Sequence, residues 1–172
     1  GGTELPGAAL RIKDGATVVE SWVSGTSPHT ITAKLVAGKT YTLEEETAPD
    51  GYAVASAINF IVNADNSVTR VEMVDKATRV SISKVAITGG PELPGATLRV
   101  MDGPLVVERW VSGTTPHIIA AKLLAGKTYT LVEESPPGGY AMTSSINFTV
   151  SSDGSVDYVE MIDKPTDVSF SK

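Results

Sequence analysis

The chain has 172 residues, a formal charge of −6 and no cysteine. An acidic chain without a Lys/Arg block is a poor phosphate binder, so nucleic acid is not an expected partner. Disulfides and thiolate metal sites are closed to it, and no apolar run approaches the ~18 residues of a membrane helix.

Shifting the sequence by 88 positions aligns Gly1 with Gly89 and Lys84 with Lys172 without a gap, and about two-thirds of the paired residues are identical. A domain-sized tandem repeat points to a modular rod rather than a compact enzyme. Three parts follow: a first domain at 1–78, a second at 79–166, and a segment at 167–172 equivalent to 79–84. The opening at Gly1-Gly2-Thr3 matches Gly89-Gly90-Pro91 inside a connection, so the chain reads as an excerpt of a longer protein.

In the first unit, turn residues stand at Asp14-Gly15, Ala37-Gly38, Pro49-Asp50-Gly51 and Asp65-Asn66, with short alternating apolar runs between them. The second unit repeats the pattern. Strands are expected near 79–85, 96–101, 105–112, 117–123, 127–134, 145–151 and 156–163, with turns at Asp102-Gly103, Ala125-Gly126, Pro137-Gly138-Gly139 and Asp153-Gly154. Short alternating runs punctuated by Gly, Pro and Asp predict an all-β fold of two tandem sandwiches. The hairpin accounts for Asp153-Gly154 without a calcium loop, whose spacing is absent.

Strand residues alternate between faces, so parity predicts direction. Lys84 shares a face with Val80 and Ile82, Glu133 with Tyr129 and Leu131, and Asp163 with Val159 and Met161. In the first unit Glu45 follows Tyr41 and Leu43, and Asp75 follows Val71 and Met73. Each unit therefore phases ionisable groups with its core. Isolated buried ions are very costly, so these groups must pair, neutralise or react. Burial favours the uncharged forms of amines and acids alike. A neutral amine beside a neutral acid, with a second carboxyl group to pass protons, is set up to form an amide with loss of water. The unreactive alternative is a buried ion cluster.

The residues Val80-Ser81-Ile82-Ser83-Lys84, Glu92-Leu93-Pro94-Gly95-Ala96, Gly126-Lys127-Thr128-Tyr129-Thr130-Leu131-Val132-Glu133, Pro137-Gly138-Gly139-Tyr140 and Val159-Glu160-Met161-Ile162-Asp163-Lys164-Pro165 resemble the Cna protein B-type (collagen-adhesin B-region, SpaA-like) domains of Gram-positive surface adhesins and pilins. The first unit carries the more typical Glu45-Glu46-Thr47-Ala48-Pro49-Asp50-Gly51-Tyr52. The resemblance implies prealbumin-like (Ig-like) β-sandwiches, an extracellular place on the cell surface, and an internal isopeptide bond joining Lys84 to Asp163 with Glu133 assisting. It assigns Glu45 and Asp75 the same roles in the first unit, whose lysine strand would precede residue 1. Lys172 is the equivalent of Lys84. Either it belongs to a following repeat of a longer array, or its strand completes the first unit of another copy, head to tail.

The function expected is a structural stalk or fibre-shaft module, with adjacent repeats as partners and self-crosslinking in place of turnover. The alternative is an adhesive module that grips a host protein or glycan; an accessory domain of a protease would need a catalytic neighbour. No cofactor or metal is expected, since His29 and His117 stand one per unit without a ligand set. Trp22 and Trp110 are expected to pack at sheet edges, and Glu46 and Glu134 to face solvent.

Overall fold

The computed structural model describes residues 2–65 and 67–172; the turn expected at Asp65-Asn66 therefore lies partly outside the described residues. Every regular element among them is a β-strand, and the boundary between two compact units falls between Ala77 and Thr78.

In the first unit β1 (Ala9–Asp14), β2 (Thr17–Val23), β3 (Thr40–Thr47) and β5 (Ile58–Ile61) form one antiparallel sheet in the order β2-β1-β3-β5. A short pair, β4 (Tyr52–Ala53) with β6 (Lys76–Ala77), closes the unit's end.

The second unit is a complete two-sheet sandwich. One sheet, β13 (Ile146–Thr149), β11 (Thr128–Ser135), β8 (Thr97–Asp102) and β9 (Leu105–Val111), matches that of the first unit. The other has β7 (Arg79–Val85) at its centre, flanked by β10 (His117–Ala120) and β14 (Val156–Ile162). β12 (Tyr140–Ala141) pairs with β15 (Lys164–Pro165). Gly139, at φ +85°, supplies the left-handed turn just before β12.

The alternation that defines the strands also fills this core. Val80, Ile82, Leu98, Val100, Leu131, Val150 and Met161 are all at most 2 % exposed. Each such aliphatic side chain contributes roughly 1.5–3 kcal/mol on burial. Tyr129 faces Phe148 across the β11–β13 pair, with ring centroids 6.1 Å apart.

The repeat leaves the first unit without a central strand for its second sheet, and among the described residues that sheet does not form. Residues 29–32 and 68–74, which correspond to β10 and β14, form no strand. In the second unit both of those strands pair with β7 and not with each other. The described residues of the first unit include no counterpart of β7, so its two would-be neighbours have nothing to bond to. Asp167–Lys172 likewise forms no strand and is exposed, with Val168 at 75 % and Phe170 at 90 %.

Candidate functional site

The second unit's site begins with the backbone of β7. The Lys84 N–H donates to Glu92 Oε2 at 3.0 Å, and its carbonyl accepts the Leu93 N–H at 2.6 Å. Both of its main-chain groups are thus held from outside the sheet. Parallel pairing sets Met161 opposite Lys84 and Ile162 opposite Val85. The Asp163 N–H extends that ladder to Val85 O at 3.0 Å, which brings Asp163 beside Lys84 on the inner face. Glu133 comes from β11 in the facing sheet, in register with Leu98.

The three side chains meet in the core. Lys84 Nζ donates to Asp163 Oδ1 and lies 2.9 Å from Glu133 Oε1. The other Glu133 oxygen, Oε2, accepts the Thr143 N–H at 2.8 Å. Lys84 is 1 % exposed, Glu133 4 % and Asp163 0 %. Asp163 holds its proton to higher pH than an ordinary aspartic acid, chiefly because burial disfavours its carboxylate; Glu133 pushes the same way, while Lys84 opposes. One ammonium cannot neutralise two carboxylates, so the enclosed triad carries a net negative charge unless it takes up one more proton. Nζ and the Asp163 carboxyl are in hydrogen-bond contact, the proximity an amine needs to attack that carbon.

The first unit holds the acids without the amine. Glu45 is 8 % exposed, and its Oε2 accepts the Ala55 N–H at 2.6 Å, as Glu133 does from Thr143. Asp75 neighbours it and is half-buried. Both acids are shifted upward, first by burial, and Asp75 raises Glu45 further. Glu45 Oε1 is enclosed, yet no Lys or Arg pairs with it among the described residues. Lys172, in the exposed 167–172 segment, stands in no such cluster.

Several supporting residues were not foreseen. Glu92 holds the Lys84 backbone, and the Thr143 and Ala55 amides hold Glu133 and Glu45, although nothing in their local sequence announces it. Trp22 stacks on His29 with centroids 4.4 Å apart, and Trp110 on His117 at 4.3 Å. Each histidine also lies 3.4 Å from a glutamate, Glu20 or Glu108, which binds Lys34 or Lys122 in turn. The signal available was the Trp-to-His spacing, which is the same in both units. Glu134 bridges Arg99 at 3.1 Å and Arg109 at 2.6 Å on the outer face, and exposed Glu46 pairs with Arg11.

The family described as "SpaA: Prealbumin-like fold domain" matches residues 1–77 and again 78–165. The chain belongs to this family. Its two SpaA-like domains align over 94 % of their length with the Bacillus anthracis TIE protein, at 20 % identity and a TM-score of 0.50. They align over 94 % with the open pilus adhesin SpaC of Lactobacillus rhamnosus GG, at 16 % identity and a TM-score of 0.45. The shaft pilin SpaA of the same organism aligns over 95 %, at 15 % identity and a TM-score of 0.39, with 89 % of its own chain covered. The SpaA-like pair spans 31 % of the TIE chain and 29 % of SpaC. No curated protein matches the chain.

Proposed function

We propose that this chain is a structural shaft module of a bacterial surface adhesin or pilus, exposed outside the cell, whose second domain locks itself with a Lys84–Asp163 amide. The observation that carries the proposal is the enclosure of one amine and two acids between the sheets. Glu133 takes a proton from the Lys84 ammonium, and the neutral Nζ attacks Asp163 Cγ. One N–C bond forms and one C–O bond breaks. The Asp163 hydroxyl leaves as water, with Glu133 returning the first proton to it and then taking the second proton that Nζ sheds. The reaction runs once per domain and needs no redox partner.

The bond joins β7 to the end of β14, residues 79 apart in sequence. Closing such a loop is worth roughly 4–5 kcal/mol through the entropy of the unfolded chain. The stacking of Trp22 and Trp110 on histidines supports a structural role for them over that of open sugar platforms.

Intact mass spectrometry of the denatured chain tests the chemistry. The expected mass is that of the sequence less one water, restored in full by Glu133→Gln or Lys84→Met. An unshifted mass for the unmodified sequence would reduce the triad to an ion cluster.

A further inference from the structure

The two main sheets of the second unit end on four outer strands, β9, β10, β13 and β14. Folded chains keep such edges from pairing with other molecules by short length, bulges, Lys or Pro. β10 and β13 are only four residues long. β9 carries a register shift opposite Val100 and Met101, and a charged Arg109. β14 has none of these devices. It is seven residues long, runs in unbroken register beside β7, and contains no Lys, Arg or Pro.

The side chains of β14 divide by face. Val159 and Met161 lie in the core, while Val156, Tyr158 and Ile162 stand in solvent, Tyr158 at 80 % exposure. The repeat has Arg70 at the position of Tyr158, so this aromatic belongs to the second unit alone. The main chain divides too. The Asp163 N–H donates to Val85 O, so in this parallel ladder Asp157, Val159 and Met161 also turn their main-chain groups toward β7. Those of Val156, Tyr158, Glu160 and Ile162 point the other way, to the open edge.

We infer that this edge pairs antiparallel with β14 of a second copy, about a two-fold axis at Val159. The register sets Val156 opposite Ile162 of the second copy and Tyr158 opposite its Glu160, and each such pair exchanges two main-chain hydrogen bonds. The two-fold repeats every contact. Apolar side chains therefore meet at both ends. Glu160 Oε1 accepts the Gly89 N–H at 3.0 Å, which leaves Oε2 for the Tyr158 hydroxyl across the axis. No acid faces an acid, because Asp157 lies opposite Met161. An axis at Glu160 would oppose the two glutamates, and one at Tyr158 would set each glutamate against Val156. The edge is thus complementary to itself in one register, which makes the partner a second copy of this chain.

The pairing uses only the outer edge of β14 and does not require the Lys84–Asp163 amide. Sedimentation of the full chain over a concentration series tests it, and the average mass should rise from that of one chain toward that of two. Tyr158→Glu sets acid against acid on both sides of the axis and should hold the chain monomeric over the same range. Tyr158→Lys meets the same Glu160 with the opposite charge and should keep the dimer, with association weakened by salt. Position 158 is exposed, so circular dichroism should show the fold unchanged in both variants. In the concentrated unmodified chain, amide exchange should slow at Tyr158 and Glu160, whose N–H groups reach the open edge. A chain that stays monomeric throughout would overturn the inference. So would a dimer that survives Tyr158→Glu, or one lost equally in Tyr158→Lys, since either outcome is incompatible with this register.

Discussion

Asp163 and Asp75 are the same residue in the same frame, and they differ in whether an amine reaches them. Burial raises Asp163 while Lys84 works against the rise; Asp75 and its neighbour Glu45 are raised with no cation among the described residues to oppose it. A carboxyl whose folded pKa is raised keeps its proton after the unfolded chain has released its own. The proton count then favours the folded form at low pH, and stability falls as pH increases. For the first unit that stabilisation is complete below the ordinary carboxyl range, about pH 4. It is lost as pH rises through the higher folded values of Glu45 and Asp75. The first unit's melting temperature should therefore drop between about pH 4 and neutrality, and Asp75→Asn should flatten the profile. A melting temperature that rises over that interval would show that the two acids are not held protonated. In the second domain an amide would remove Asp163 from titration, and Lys84→Met would restore a falling profile.

A strand exists only as a neighbour of another, and the elements of the two units divide along that line. Residues 29–32 and 117–120 correspond in the repeat, yet only the second set pairs with a central strand. Amide hydrogen exchange should read this directly. The Ile119 amide should be protected by at least tenfold more than that of Ile31, since an unpaired backbone group opens with little free energy. Equal protection would mean that the first unit forms a second sheet by another route. Parity along each strand was enough to place Lys84, Glu133 and Asp163 facing inward, because a period of two leaves no other choice once Val80, Leu131 and Met161 are core. Parity also made Val71, Met73 and Asp75 look like a strand. Parity alone says nothing of partners, because pairing is a long-range property; it was the repeat register that left the first unit without a β7 counterpart among the described residues. The two-residue pair of β12 and β15 escaped notice for a similar reason. Tyr140-Ala141 is too short to show alternation, yet it precedes the loop that places the Thr143 amide on Glu133.

At the scale of the whole molecule, what matters is where tension runs. β7 opens the second domain and β14 nearly closes it, and the two lie parallel from Val156 opposite Arg79 to Ile162 opposite Val85. Pulling on the domain's two ends loads that ladder in shear, so its hydrogen bonds resist together rather than opening one by one. Hydrogen bonds alone still yield, because each contributes only about 1 kcal/mol net. A Lys84–Asp163 amide changes the outcome in kind, since the load then passes from β7 to the end of β14 through covalent bonds. The intervening strands stay outside the force path whether or not they are folded. Single-molecule stretching should show no extension from the second domain of the unmodified sequence. Lys84→Met should add one unfolding event that releases roughly 260–280 Å of chain, the length of the 79-residue separation. The first unit, in which no strand pairs with residues 29–32 or 68–74 among the described residues, should yield at lower force in either protein. An unmodified second domain that lengthens as far as the Lys84→Met variant would mean that load is borne by the hydrogen-bond ladder and not by a crosslink.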